Sequence, residues 1–300
     1  MVPSRRFVAG VVAGALFVVA LVLWIYPSAT DFANSNTQWN GMSDASREFH
    51  IRPLTDVGGF PSESRGTVVL VIPSRPPQPT HLQAIRRFVE SGGVLILLDN
   101  FGSGNDVLMV LGSPIRFSGR LLADPLFNLK NSRLPRILDF APSPLTVGVE
   151  ELVFDHATVL TGISTAQAAA TSSAVSYLAL SPTGQRDEGE SRGPFPVLAL
   201  EPHKEGYVVA ISDSSILINS MLPQADNRRL FQNAVGLAGA DARIFLDDVL
   251  LPQEPLDATK HALADTRRLL SGPAAALALA VVALVLPTVL LSKSSRETTQ

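Results

Sequence analysis

Two long apolar runs lie near the ends of the chain, and short apolar runs alternate with polar residues between them. Phe7–Tyr26 contains no charged residue, and Pro273–Leu291 is a second uncharged run of similar length. Each is about long enough to cross the hydrocarbon core of a bilayer, roughly 30 Å, as one helix. The pattern therefore predicts one transmembrane helix at each end, with a single ordinary-sized domain between them.

Basic residues beside these runs predict the orientation. Arg5 and Arg6 precede the first run, and Lys293 and Arg296 follow the second. Because cytoplasmic flanks are enriched in Lys and Arg, we expect a two-span protein of the cell membrane with both termini cytoplasmic and the domain extracytoplasmic. An alternative for the first run is a cleaved signal peptide, although the run exceeds the usual apolar length of about 7–15 residues.

The runs divide the chain into six predicted segments. These are a cytoplasmic tail at 1–6, a transmembrane helix at 7–26, an extracytoplasmic α/β domain at 27–250 with an irregular insertion at 114–165, a linker and juxtamembrane helix at 251–271, a transmembrane helix at 272–292 and a cytoplasmic tail at 293–300.

A strand–helix–strand unit is the clearest pattern within the domain. Thr67–Ile72 and Val94–Leu98 are continuous apolar or β-branched runs, typical of strands buried on both faces. Thr80 is the expected N-cap of the helix between them, and Gly92 supplies its left-handed end. A right-handed crossover of this length makes the two strands parallel.

Weaker patterns predict the remaining elements. The sequence predicts a short helix capped by Ser43, a strand at Phe49–Leu54, helices at Asp106–Leu111, Asp226–Leu237 and Asp257–Leu270, a hairpin of Pro196–Leu200 with Tyr207–Ser212, a last strand at Arg243–Leu246 and a solvated loop at Gln185–Gly193.

Composition excludes several classes of function. The net charge of −3 and the pI near 6.0 provide no basic field for nucleic acid. The chain has no cysteine, which excludes disulfides, thiolate metal sites and a cysteine nucleophile. The five histidines stand in no metal-ligand spacing, so neither a metal nor another cofactor is expected.

A glycine-rich turn follows the strand Val94–Leu98. Residues Asp99–Asn105 read Asp-Asn-Phe-Gly-Ser-Gly-Asn and precede a helix, the setting in which backbone N–H groups can hold an anion. The turn lacks the length and the Lys-Ser/Thr end of a phosphate loop. The alternative is a tight turn in which Ser103 or Asn105 caps the helix.

A second polar strand end lies at Asp213–Ser215. If this strand runs parallel to Val94–Leu98, both ends meet at the carboxyl edge of one sheet, where α/β folds bind ligands. The candidate ligand-binding residues are Asp99, Asn100, Gly102, Ser103, Gly104, Asn105, Asp213, Ser215 and Asn219.

Catalysis is not expected, because no nucleophile has a recognisable base. His156 is the best candidate base on sequence. The alternative is an aspartate- or serine-based hydrolase that uses Asp99, Asp213 and His156.

Several motifs resemble those of a known group of proteins. They are Asn36–Gly41 (NTQWNG), Phe88–Gly93 leading to Leu98–Asn105, Gly193–Val197 and Ile211–Asn219. Together they resemble a group of prokaryotic membrane proteins that carry a domain of unknown function. That group is similar to the class I glutamine amidotransferase-like superfamily and to a membrane-anchored domain found beside gliding-motility and ABC-type transport components.

The resemblance implies a flavodoxin-like α/β fold, with a mostly parallel sheet flanked by helices. Active amidotransferases keep a nucleophilic cysteine at the turn that here carries Asp99 and Asn100, so glutaminase activity is not implied. What it implies is a non-catalytic domain that binds a ligand or partner in an envelope or transport system. Expected partners are the lipid bilayer and other membrane proteins of an ATPase or transport complex. One alternative is an ABC-type transport subunit that acts through a protein interface.

Overall fold

The structure is a computed structural model that describes residues 5–25, 28–163, 167–179 and 191–252. The chain divides into two units, Met1–Tyr26 with Gln253–Gln300, and Pro27–Pro252. Helix α1, Arg5–Ile25, is the described element of the first unit. The predicted helix Asp257–Leu270, the second apolar run and most of Gln185–Gly193 lie outside the described residues.

The prediction of one transmembrane helix at each end is wrong. Among the residues that the structure describes, no helix combines the length and the apolar character needed to cross a membrane. The same finding contradicts the predicted location, which was a two-span protein of the cell membrane with cytoplasmic termini and an extracytoplasmic domain.

The second unit contains four further helices in its described part. They are α2 (Ser43–Phe49), α3 (Pro79–Glu90), α4 (Asn105–Leu111) and α5 (Asn227–Gly236). Three turns of 3-10 helix lie at Val57–Gly59, Pro144–Thr146 and Asp248–Leu250. Helix α3 begins at Pro79, not after Thr80, because proline at the first helical position loses no hydrogen bond.

The strands of this unit are mostly short. They are β1 (Arg52–Leu54), β2 (Thr67–Val71), β3 (Val94–Leu98), β4 (Arg116–Phe117), β5 (Leu121–Ala123), β6 (Arg136–Ile137), β7 (Asp139–Phe140), β8 (Leu152–Val153), β9 (Leu160–Thr161), β10 (Ala168–Thr171), β11 (Tyr177–Ala179), β12 (Pro196–His203), β13 (Gly206–Ile211) and β14 (Arg243–Asp247).

Eight of these strands form one mixed sheet in the order β1-β14-β2-β3-β13-β12-β10-β7. The first five strands in this order are parallel to one another. From β13 onwards the pairing is antiparallel, through the hairpin β12–β13 and the added strands β10 and β7. The remaining strands form three two-stranded sheets, β5–β11, β4–β9 and β6–β8.

Alternate residues of the central strands pack into two apolar layers, one on each face of the sheet. Leu95 and Leu97 face the layer built by helices α3 and α4. Ile96 and Leu98 face the layer that contains helices α2 and α5 and much of the chain between β6 and β9. Because a strand presents successive side chains to opposite faces, the central strands are apolar throughout.

The predicted fold class is therefore corrected. The structure is a mixed α/β fold with a large sheet and few helices, not a flavodoxin-like sheet with a transmembrane helix at each end. Three of the seven strand pairings in this sheet are antiparallel, and the described part of the chain between α4 and β12 contains short strands and no α-helix. The strand–helix–strand unit β2-α3-β3 is confirmed, as is the hairpin β12–β13.

Candidate functional site

Strands β3 and β13 end side by side at the carboxyl edge of the sheet. Leu98 is opposite Ile211 in parallel register, and the Asp99 N–H donates to the Ile211 carbonyl at 3.2 Å. From this edge β3 continues into α4 and β13 leads to α5, on opposite faces of the sheet. Such a change of direction is where α/β sheets open a ligand crevice. The structure thus brings Asp99 and Asp213 to neighbouring strand ends.

The carboxylate of Asp99 fills the glycine-rich turn that follows it. Its Oδ1 accepts from the Phe101 N–H at 2.8 Å, and its Oδ2 accepts from the Gly104 N–H at 2.6 Å. Burial raises the pKa of Asp99, and the hydrogen bonds from backbone N–H groups act against that rise. The N–H groups that could have held a ligand anion therefore hold a side chain of the protein itself.

This arrangement also replaces the predicted helix cap. The residue before α4 is Gly104, which has no side chain to cap the helix, and Asp99 takes that part from five residues upstream. Asn105 instead pairs with the backbone of Phe117, donating to its carbonyl at 3.0 Å and accepting from its N–H at 2.8 Å. Gly102 and Ser103 lie half-buried on the turn. The prediction that Ser103 or Asn105 caps the helix is wrong.

Asp213 is fully buried and likewise accepts from backbone N–H groups. Its Oδ1 accepts from Ser215 at 2.7 Å and its Oδ2 from Asp155 at 2.9 Å. Burial raises the pKa of Asp213 to about 8, and the nearby negative charge of Asp155 adds to that rise. The role of Ser215 at this strand end is thus to donate its backbone N–H.

The loop 154–158 lies across the crevice that the sequence predicts. Asn100 donates from its side chain to the His156 carbonyl at 3.3 Å, and Thr158 donates its N–H to the Ser212 carbonyl at 2.8 Å. Together with the Asp155 contact to Asp213, these bonds join the loop to both strand ends. The chain itself therefore occupies the space between β3 and β13.

His156 lies at this edge but has a limited set of partners. Its Nδ1 is 2.5 Å from Asp155 Oδ1, its backbone has a φ of 54°, and its ring is about half exposed. Within the described ranges, the ring hydrogen-bonds neither Asp99, Asp213 nor a serine hydroxyl. The three residues of the hydrolase alternative lie on adjoining segments, but their side chains form no shared hydrogen-bond network.

Asn219 binds the loop of residues 31–41, which we name the lead-in loop, rather than the crevice. Its side chain donates to the carbonyls of Gln38 at 2.6 Å and Asn36 at 3.2 Å, and accepts from the Asp44 N–H at 3.0 Å. Buried Asn36 supports the same loop, donating to the Thr30 carbonyl at 2.9 Å and accepting from the Gln38 N–H at 2.8 Å. These contacts fix the loop that carries Trp39.

Sequence reasoning missed a second polar cluster at this sheet edge. His81 Nε2 lies 2.5 Å from Asp247 Oδ2, and both side chains are buried. Burial, with the adjacent Asp247, raises the pKa of Asp248 to about 7. Asp247 ends β14, and β14 pairs with β2, the strand before the helix that carries His81. The only hint in the sequence was the Asp-Asp pair at a strand end, which became informative once the strand order was known.

A comparison with family models identifies the chain. The model of a domain of unknown function, DUF4350, matches residues 35–235. The chain belongs to the DUF4350 family. The matched range of this DUF4350 protein runs from the lead-in loop through most of α5, and it contains every ligand-binding residue that the sequence predicts, but not Asp247 or Asp248. The predicted resemblance to a group with a domain of unknown function is thereby confirmed.

Comparisons with other proteins are less informative. No curated protein matches the chain. Among solved structures, the mmIFT52 N-terminal domain is similar at 13% identity and a TM-score of 0.44, covering 58% of this chain and 79% of that one. A ThuA-like protein from Bacteroides uniformis is similar at 16% identity and a TM-score of 0.36, covering 62% and 75%. A β-galactosidase from Bacillus circulans sp. alkalophilus has 16% identity and a TM-score of 0.32, covering 55% and 22%. Likenesses at these TM-scores transfer no function.

Proposed function

We propose that this DUF4350 domain is a non-catalytic binding domain that recognises a protein partner through apolar side chains on fixed loops. The observation that carries the proposal is Trp39, whose side chain is 67% exposed. Its backbone carbonyl accepts from the Ser220 N–H at 3.1 Å. On one side of it, Gln38 is bound by Asn219 and Asn36, and on the other side Asn36 donates to the Asn40 side chain at 3.1 Å. An exposed indole on a fixed loop offers a partner a large apolar surface to cover.

A fixed tryptophan suits a protein interface for two physical reasons. Tryptophan is among the residues enriched at the energetic centres of interfaces, because it buries a large area with few rotatable bonds. A loop already held by hydrogen bonds loses little conformational freedom when it binds. Phe101 adds a second exposed aromatic ring, 79% exposed, on the turn that Asp99 holds.

The chemistry of the carboxyl edge supports a binding role over catalysis. Both predicted carboxylates already accept two backbone hydrogen bonds each, and loop 154–158 takes up the crevice between them. Within the part of the chain that the structure describes, no specific contact favours the hydrolase alternative. The likeness to the class I glutamine amidotransferase-like superfamily, and the accessory role in an envelope or transport system, stay predictions. So does the ABC-type transport subunit.

The proposal is tested by comparing Trp39→Ala with the control Met109→Ala, which truncates an exposed apolar side chain on α4. Each tagged full-length chain is purified from its native host with its bound proteins, and any captured protein is then titrated against purified variants. We expect one protein to bind the wild type and Met109→Ala equally, and Trp39→Ala at least about tenfold more weakly. Equal binding by all three chains would contradict the proposal.

A further inference from the structure

A second exposed apolar surface lies in residues 124–137, which we name the Leu126 loop. Leu126 is 71% exposed, Phe127 43% and Leu129 40%. Three large apolar side chains within four positions are an unusual concentration for a surface segment, and such concentrations mark interaction sites. None of these residues takes part in the contacts that hold Trp39.

Buried Asp124 fixes the conformation of this loop. Its Oδ1 accepts from the N–H groups of Leu126 at 2.9 Å and Phe127 at 2.7 Å. Across the loop, Leu129 donates to the Leu134 carbonyl at 3.0 Å, and Arg136 donates its N–H to the Phe127 carbonyl at 2.9 Å. The backbone N–H groups of all three apolar residues therefore have partners inside the protein.

The exposed charge of the loop is positive. Lys130 is exposed and Arg133 half-buried, and neither forms an ion pair with any residue in the described ranges. The third cation, Arg136, is paired with Glu151 at 2.5 Å, and the one carboxylate of the loop, Asp124, is buried. The nearby Asp155 carboxylate pairs with His156. The apolar side chains are thus accompanied by two free cations, although the chain as a whole carries a net charge of −3.

We propose that the Leu126 loop docks onto an anionic lipid surface, where it adsorbs without crossing. Apolar side chains enter the boundary between headgroups and acyl chains at lower cost when their own backbone N–H groups are satisfied, as those of Leu126, Phe127 and Leu129 are. Lys130 and Arg133 complement anionic headgroups. The same cations would repel each other across a contact between two copies of the loop, which disfavours a homodimer there.

The absence of cysteine allows a direct test on the full-length chain. Leu126→Cys and Leu129→Cys, each labelled with a polarity-sensitive fluorophore, report on the loop. Met109→Cys on α4 is the matched control. The probes are two kinds of vesicle. One contains phosphatidylcholine alone, and in the other about a third of the lipid is anionic phosphatidylglycerol. We expect a blue shift at both loop positions with anionic vesicles only, and no shift at Met109→Cys.

Charge variants complete the test. Lys130→Gln and Arg133→Gln are introduced into the labelled Leu126→Cys chain. Each charge removed should weaken the affinity of that chain for anionic vesicles about fivefold. An equal shift at Met109→Cys, or no shift at either loop position in folded protein, would overturn the proposal. A shift induced by a soluble acidic peptide rich in Glu and Leu, but not by vesicles, would also overturn it and assign the loop to a protein. Because Trp39 is unchanged throughout, either proposal can fail without the other.

Discussion

Single carboxylates at the sheet edge act as acceptors for backbone N–H groups that would otherwise have no partner. Asp99 holds the turn before α4, and Asp213 holds Asp155 of the loop that covers the crevice. Their positions at neighbouring strand ends could be predicted from the sequence, because both follow apolar strands. Their partners could not, since the N–H of Asp155 comes from a distant segment that periodicity does not place.

The raised pKa of Asp213 predicts how stability depends on pH. With a folded-state pKa of about 8 against an ordinary 3.8, the folded chain holds a proton that the unfolded chain releases above about pH 4. Its contribution to the free energy of unfolding is therefore complete below pH 4 and is lost as pH rises toward 8, by at most about 1.4 kcal/mol per pH unit. Asp213→Asn should be less stable overall but should lose less stability between pH 5 and 8.

Urea unfolding of both chains at pH 5 and pH 8 measures this difference. Asp248, with a pKa raised to about 7, contributes in the same direction in both chains and cancels in the comparison. Asp241→Asn is the control, since that carboxylate is exposed to water in the folded chain as well. If the stability of Asp213→Asn fell with pH as steeply as that of the wild type, the raised pKa of Asp213 would be contradicted.

At the scale of elements, local and continuous patterns were predictable and long-range pairings were not. The unit β2-α3-β3 lies within one stretch of sequence, and its strands are buried throughout and consist of apolar or β-branched residues. By contrast, β14 lies between β1 and β2, far from both in sequence. Strand β10, Ala168–Thr171, has three alanines and a register shift, so neither residue preference nor alternation identifies it.

The lead-in loop offers a prediction at this scale. A Cβ added at Gly41 would overlap the carbonyl oxygen of Asn36, whose backbone position is fixed by its own contacts. Gly41→Ala should therefore lower the free energy of unfolding by about 1–3 kcal/mol, through displacement of the loop. Gly236→Ala, at the end of α5 with open space around it, should be neutral or stabilising by up to about 1 kcal/mol.

Chemical denaturation of the two glycine variants checks both values in one experiment. The Trp39 fluorescence of Gly41→Ala should change in the native state, since the indole is carried by the displaced loop. Equal stability of the two variants would show that the loop tolerates a side chain at Gly41.

At the scale of the whole second unit, two asparagines of α5 join the helix to the segment between β6 and β9. Buried Asn227 accepts from the Val153 N–H at 3.0 Å and donates to the carbonyls of Val153 at 2.8 Å and Met221 at 2.9 Å. Asn233 donates to the carbonyls of Leu145 and Val147, both at 2.9 Å, in a more exposed place. Both contacts join the same helix to the same segment, but they differ in access to water.

This difference in access to water makes the two asparagines a matched pair. Asn227→Ala leaves the buried N–H and carbonyl of Val153 without partners, whereas the Met221 carbonyl still accepts from the Gln224 N–H. Each orphaned group costs about 1–3 kcal/mol, so we expect a loss of about 2 kcal/mol or more. Asn233→Ala should cost about 1 kcal/mol or less, because water can replace the amide.

Urea unfolding measures the stability, and hydrogen exchange at Val153 measures local opening. If Asn227 joins the segment to the core, exchange at Val153 rises in Asn227→Ala in step with the lost stability and stays near the wild-type rate in Asn233→Ala. Equal losses in the two variants would mean that the segment folds independently of α5, and the loop over the carboxyl edge would then need another support.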